Sequence, residues 1–190
     1  IVVGTKLDSK AFSIDTGDGG DINTMADWLV NGGMSVKTGS GFDIVTAVQI
    51  TQSGTSSNLL DLGSDTDVAT LALCGLSGPT TINLGSGVGN VLSIDDVVFN
   101  NTFTLNSQGT TDVIAVEQNV GLAGATTFAK AAKFNFGLND VLLLSVTNAA
   151  SSTKFLSTVA FTGKIPNSTV LLGTNTSFAI APTVKNVLVV

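Results

Sequence analysis

Val36-Lys37-Thr38-Gly39-Ser40-Gly41-Phe42-Asp43-Ile44-Val45 sets out a unit that much of the chain repeats. An apolar strand runs into glycine and small polar residues, an acid or amide follows, and a second apolar strand leaves. Twenty-four residues on, the unit returns as Leu60-Asp61-Leu62-Gly63-Ser64-Asp65-Thr66-Asp67-Val68. Earlier it reads Ser13-Ile14-Asp15-Thr16-Gly17-Asp18-Gly19-Gly20-Asp21-Ile22. Later copies centre on Leu84-Gly85-Ser86-Gly87-Val88-Gly89-Asn90, Gly109-Thr110-Thr111-Asp112 and Gly137-Leu138-Asn139-Asp140. The acid or amide therefore recurs at 21, 43, 67, 90, 112 and 140, at intervals of 22, 24, 23, 22 and 28. One interval accommodates two strands of about 5–6 residues and two turns, which is one coil of a solenoid.

This spacing predicts an all-β fold, a β-solenoid or β-roll with coils of about 22 residues and one or two short helices. A β-sandwich is the alternative. Ile22 to Val30 carries apolar residues at helical spacing and ends at Asn31-Gly32-Gly33, so it is read as a helix. Gly124 to Lys133 is the other helix-like stretch, and it is taken as an insertion that explains the long last interval. The chain reads as a single β-rich domain over 1–190. Within it, 1–34 is a possible cap, 35–147 the repeat region and 148–190 a variant end. The apolar end Val187-Leu188-Val189-Val190 is expected to pair, within the chain or with a neighbour, because a free β-branched edge promotes aggregation.

Composition narrows the function. Among 190 residues, 43% are hydrophobic and 12% are charged, about half the usual charged share. There is no His, Tyr or Arg, and the net charge is −6. Imidazole-based triads and imidazole zinc sites are thereby excluded. An acidic chain with 8 scattered Lys lacks the basic patch that nucleic acid requires. No apolar run is long enough for a transmembrane helix. Most of the acids sit in Gly-rich turns, where carboxylates are solvated, and a non-enzymatic protein is expected. Cys74, alone in an apolar run, is read as a small buried hydrophobe. The sequons at Asn100, Asn167 and Asn175 matter only in an organism that glycosylates.

The turns suggest a metal. Stacked one per coil, the aspartates would repeat every ~4.8 Å and need a counter-charge. The candidate ligands are Asp18, Asp21, Asp43, Asp65 and Asp67, and calcium, an oxygen-seeking cation, is the expected partner. At Gly39-Ser40-Gly41-Phe42-Asp43-Ile44-Val45, and in part at Gly17-Asp18-Gly19-Gly20-Asp21, the chain resembles the RTX calcium-binding β-roll repeats. Gly63-Ser64-Asp65-Thr66-Asp67 departs by an Asp in place of the second Gly, and the unit is longer than a tandem nonapeptide. The resemblance covers the turns. It looks like the degenerate repeats of type I-secreted surface-layer proteins and large adhesins. It implies an extracellular, cell-surface location and calcium-stabilised self-association into a lattice or filament. Cell-surface polysaccharide is a further expected partner. The alternatives are a filament or pilus subunit completed by a donated strand, and a carbohydrate-binding accessory module. The single Trp and absence of Tyr count against the last.

Overall fold

The structure, a computed structural model, describes residues 2–5, 8–118, 124–146 and 150–190. It is a parallel β-solenoid whose coils average about 23 residues. Three sheets of 9, 8 and 8 strands run along its axis, and every third strand belongs to the same sheet. The first sheet begins Val2–Thr5, Ile22–Ala26, Ile44–Val48 and ends with Val187–Val189. The second runs from Asp8–Ser9 and Leu29–Val30 to Thr176–Phe178. The third runs from Phe12–Asp15 and Met34–Lys37 to Thr183–Lys185. The solenoid is thus present before residue 34 and continues past residue 148. Among the described residues the alternative β-sandwich is not formed.

Each coil has three strands where the sequence suggested two. The extra strand is the second-sheet strand, often only two residues long, such as Leu29–Val30 or Gly75–Leu76. Neither expected helix exists. Ile22–Ala26 and Leu29–Val30 are strands joined at Asp27, whose φ is 58°. Ala125–Phe128 and Ala132–Phe136 are likewise strands. The apolar residues of Ile22 to Val30 fit helical spacing because a turn between two short strands shifts the alternation by one. In Ile22–Ala26, Asn23 and Met25 are buried while Ile22 faces out, a period of two. The long interval has another origin as well: the extra residues lie between Val116 and Ala125, where 119–123 fall outside the described residues.

Inward side chains stack in columns, one residue per coil. Asn23, Val45, Ala69, Leu92, Ile114 and Leu142 form one column of the first sheet. Ile14, Val36, Leu60, Ile82, Leu105 and Phe134 form one column of the third. Both faces of a coil cannot be buried, so strands alternate in and out, as in Val68–Ala72 and Phe103–Ser107. Cys74 is buried, as expected, and burial pushes its thiol pKa up. The last strand closes the final coil: Val187–Val189 pairs with Ser168–Leu172, and Val190 N–H donates to Val170 O.

Candidate functional site

The Gly-rich turns form one corner of the solenoid, between the third and first sheets. Gly17, Gly39, Gly63 and Gly85 stack there with φ of 80°, 91°, 81° and 82°. This is left-handed backbone that favours glycine. Space also demands it, since a Cβ on Gly63 would meet Gly39 O at 1.7 Å. A second column passes through Gly19 and Gly41 to Asp65, which holds φ 78° without being glycine. Its Oδ2 accepts the Gly41 N–H at 3.1 Å, the local bonding that makes Asp tolerable there.

Past the turn comes an axial ladder of acids and amides. Asp21 N–H donates to Asp43 Oδ1 (2.8 Å), Asp43 N–H to Asp67 Oδ1 (2.9 Å) and Asp67 N–H to Asn90 Oδ1 (2.8 Å). Asn90 N–H donates to Asp112 Oδ1 (2.9 Å), Asp112 N–H to Asp140 Oδ1 (3.0 Å) and Asp140 N–H to Ser168 Oγ (3.2 Å). The sequence spacing is therefore the physical register, 22, 24, 23, 22 and 28 residues per rung. Ser168 is a further rung that the sequence did not reveal, since a hydroxyl serves the role. Asn90 continues the ladder through its carbonyl oxygen.

These rungs are not solvated. Asp43, Asp67, Asn90, Asp112 and Asp140 are all fully buried. The acids were expected to sit in solvated turns, and for these the structure shows the opposite, because the side chain that caps the neighbouring coil must point into it. Burial, the largest cause, raises the Asp67 pKa from 3.8 to about 7, with Asp43 and Asp65 adding like-charge repulsion. Burial also raises Asp112.

The second oxygens divide the ladder. Ser107 Oγ lies 2.5 Å from Asp112 Oδ2 and 2.6 Å from Asp140 Oδ2. One hydroxyl has one proton, so both contacts are hydrogen bonds only if one carboxyl donates. Ser107 thus serves the second oxygens of two successive rungs, and its hydrogen bond offsets part of the upward push that burial gives Asp112. Asp140 Oδ2 also accepts the Gly137 N–H at 2.6 Å. In the earlier coils, Oδ2 of Asp21, Asp43 and Asp67 and Nδ2 of Asn90 are buried without a partner.

Of the five expected ligands, Asp21, Asp43 and Asp67 are brought together on this ladder. Asp18 and Asp65 are exposed on the outer side of the turn, Asp18 accepting from Ser40 Oγ at 2.7 Å. Among the described residues, no group of three or more His, Cys, Asp or Glu side chains converges in a form that could hold a metal ion. The unpartnered Oδ2 atoms of Asp21, Asp43 and Asp67 lie on consecutive coils, and the exposed pair does not join them.

Two further polar clusters were missed. Gln52 Nε2 donates to Gly32 O (2.7 Å) and Ser56 O (2.8 Å), while its Oε1 accepts from Asn58 Nδ2 (2.7 Å) and Gly78 N–H (2.9 Å). It ties three coils together at the corner between the second and third sheets. Glu117 Oε1 accepts from Asp96 N–H (2.8 Å) and Thr126 Oγ1 (2.6 Å) at the remaining corner. Neither residue recurs by type, so no repeat announces it.

The fold and its inward-facing corner define a class, the parallel β-solenoids of three-strand coils. No family model, curated protein or solved structure matches the chain.

Proposed function

We propose that this chain is a segment of an extracellular structural protein, a surface-layer or adhesin solenoid that self-assembles at a cell surface and is not an enzyme. The observation that carries this reading is where the chemistry-bearing groups are used. The buried acids of the corner are engaged in holding one coil to the next, and the architecture is a rod with flat sides. The turn resemblance to RTX repeats supports the extracellular setting. A divalent cation such as calcium along Asp21, Asp43 and Asp67 would supply the positive charge that these buried carboxylates lack.

The donated-strand reading has less support, because Val2–Thr5 pairs with Ile22–Ala26 and Val187–Val189 pairs with Ser168–Leu172. The carbohydrate-module reading has less support, because Trp28 is buried against Phe12. Negative-stain images and thermal melts of the purified chain, with calcium and then with chelator, test the proposal. Ordered assemblies and a higher Tm in calcium are expected. A monomer under every condition would overturn the assembly, and identical melts would remove calcium from the account.

A further inference from the structure

The three outer faces differ in chemistry. On the third sheet the outward residues are mostly polar or charged: Asp15, Lys37 and Asp61 are adjacent in register, and the neighbouring column runs Ser35, Leu59, Thr81, Thr104, Lys133 and Ala160. Asn106 Nδ2 donates to Asn83 Oδ1 (2.9 Å), and Asn135 Nδ2 to Asn106 Oδ1 (2.8 Å), so an amide ladder runs along this face. The first sheet is unlike it. Its first outward column is Ile22, Ile44, Val68, Val91, Val113 and Val141, in unbroken register. Its second begins Thr24, Thr46, Thr70 and Ser93 and turns apolar at Ala115 and Leu143. Neither column contains a charge. Ile22 is 43% and Val91 38% exposed, so the first column faces solvent. The acids at the far end of this face, Asp95 and Glu117, are buried.

We propose that this uncharged face of the first sheet is the surface through which the chain self-assembles, packing face to face on a second copy of itself. The inference rests on the structural-protein reading and supplies its contact. Seven spacings of ~4.8 Å by five residues of ~3.3 Å make a face of roughly 34 by 16 Å. Two copies would then bury about 1,000 Å² in total, the lower limit for a specific interface. Columns two residues apart form ridges with grooves between them, and a two-fold axis sets the ridges of one copy into the grooves of the other. Because neither column is charged, packing desolvates no ion. The charges of the third face, Asp15, Lys37, Asp61 and Lys133, disfavour it as the contact.

The test is sedimentation of the full chain over a concentration series, with Val68→Lys on the face and Thr104→Lys on the third sheet as control. The parent should self-associate. Val68→Lys should raise the dissociation constant at least tenfold, and Thr104→Lys should leave it within about twofold. Thermal melts check that each variant is folded. Thr70→Cys offers a second readout: oxidation should give covalent dimers, while Asn83→Cys on the opposite chemistry should not. Assembly that persists in Val68→Lys, or equal cross-linking of both cysteine variants, overturns this face and leaves the structural-protein reading standing. A parent that stays monomeric and shows no assemblies by microscopy overturns both. If Val68→Lys does not fold, the cysteine pair decides the matter.

Discussion

The early coils and the late coils share one cross-section and fill it differently. From Phe99 onward the interior is a phenylalanine stack. Phe99, Phe128, Phe155 and Phe178 lie nearly parallel, with centroids 5.0, 4.8 and 5.1 Å apart. Phe103, Phe134 and Phe161 form a second file at 5.3 and 5.4 Å. In register with these files the early coils carry Val30, Gln52 and Leu76 on the second sheet and Val36, Leu60 and Ile82 on the third, and a cavity of about 50 Å³ lies against Met25, Val36, Leu60 and Leu76. The polar ladder follows the same division. Late rungs have their second oxygens satisfied through Ser107 and Gly137, whereas Asp21, Asp43 and Asp67 do not, and both polar side-chain atoms of Asn23 are buried without partners nearby. The lesson is that repetition of the backbone does not make a repeat uniformly stable. Parallel pairing continues from coil to coil, and the side chains decide which coils are tight.

That contrast can be broken most forcefully in the core. Phe134→Ala should cost about 3–5 kcal/mol, since it removes a ring touching Phe103, Phe128, Phe155 and Phe161. Met25→Ala, beside the existing cavity, should cost about 2–3 kcal/mol. Denaturant unfolding of both reads the difference, and equal costs would mean the halves are packed alike.

The glycine corner sharpens the comparison at the level of backbone. Gly63→Ala should destabilise by about 2–3 kcal/mol, combining left-handed strain with the clash at Gly39 O. Gly89→Ala has the same strain, φ 76°, with nothing within 4 Å, and should cost about 1 kcal/mol. A Gly63 variant no worse than the Gly89 variant would show that the turns can spread apart.

The smallest effect concerns protons. The folded-state pKa of Asp67, about 7, lies above its usual 3.8, so the folded chain binds the proton more tightly. Its contribution to stability is fully present below about 3.8 and is lost as the pH rises through about 7. The chain should melt at a higher temperature at pH 5 than at pH 8. Asp67→Asn, which copies the natural Asn90 rung, should flatten that dependence and add about 1–2 kcal/mol at pH 8. If the slope survives in Asp67→Asn, another group carries it.

The corner that glycine marks was legible in the sequence, and so was its register, because positive φ and close stacking restrict the residue types allowed. The other two corners were hidden. Between the first and second sheets six of the turns also have a left-handed residue, yet Asp27, Gln49, Leu73, Asp96, Glu117 and Ser145 fill that place, with φ from 48° to 58°. Six positions with five residue types produce no visible repeat. Two-residue strands such as Val98–Phe99 are too short to display alternation, which is why three strands per coil read as two. For the candidate site, the aspartate positions were legible and the direction of their side chains was not. The periodicity locates a rung along the axis, and only the turn's geometry determines whether it points inward.

The unequal spacing of the rungs has a consequence for how the chain finds its register during folding. A perfectly periodic solenoid could slip by a whole coil at little energetic cost, since each rung would fit its second neighbour almost as well as its first. Here the intervals are 22, 24, 23, 22 and 28, so a slipped segment would meet loops of the wrong length. The phenylalanine files add volume mismatch to length mismatch. Misaligned states are thereby separated from the correct one, and the irregularities that blur the repeat to the eye make a single alignment the lowest in energy.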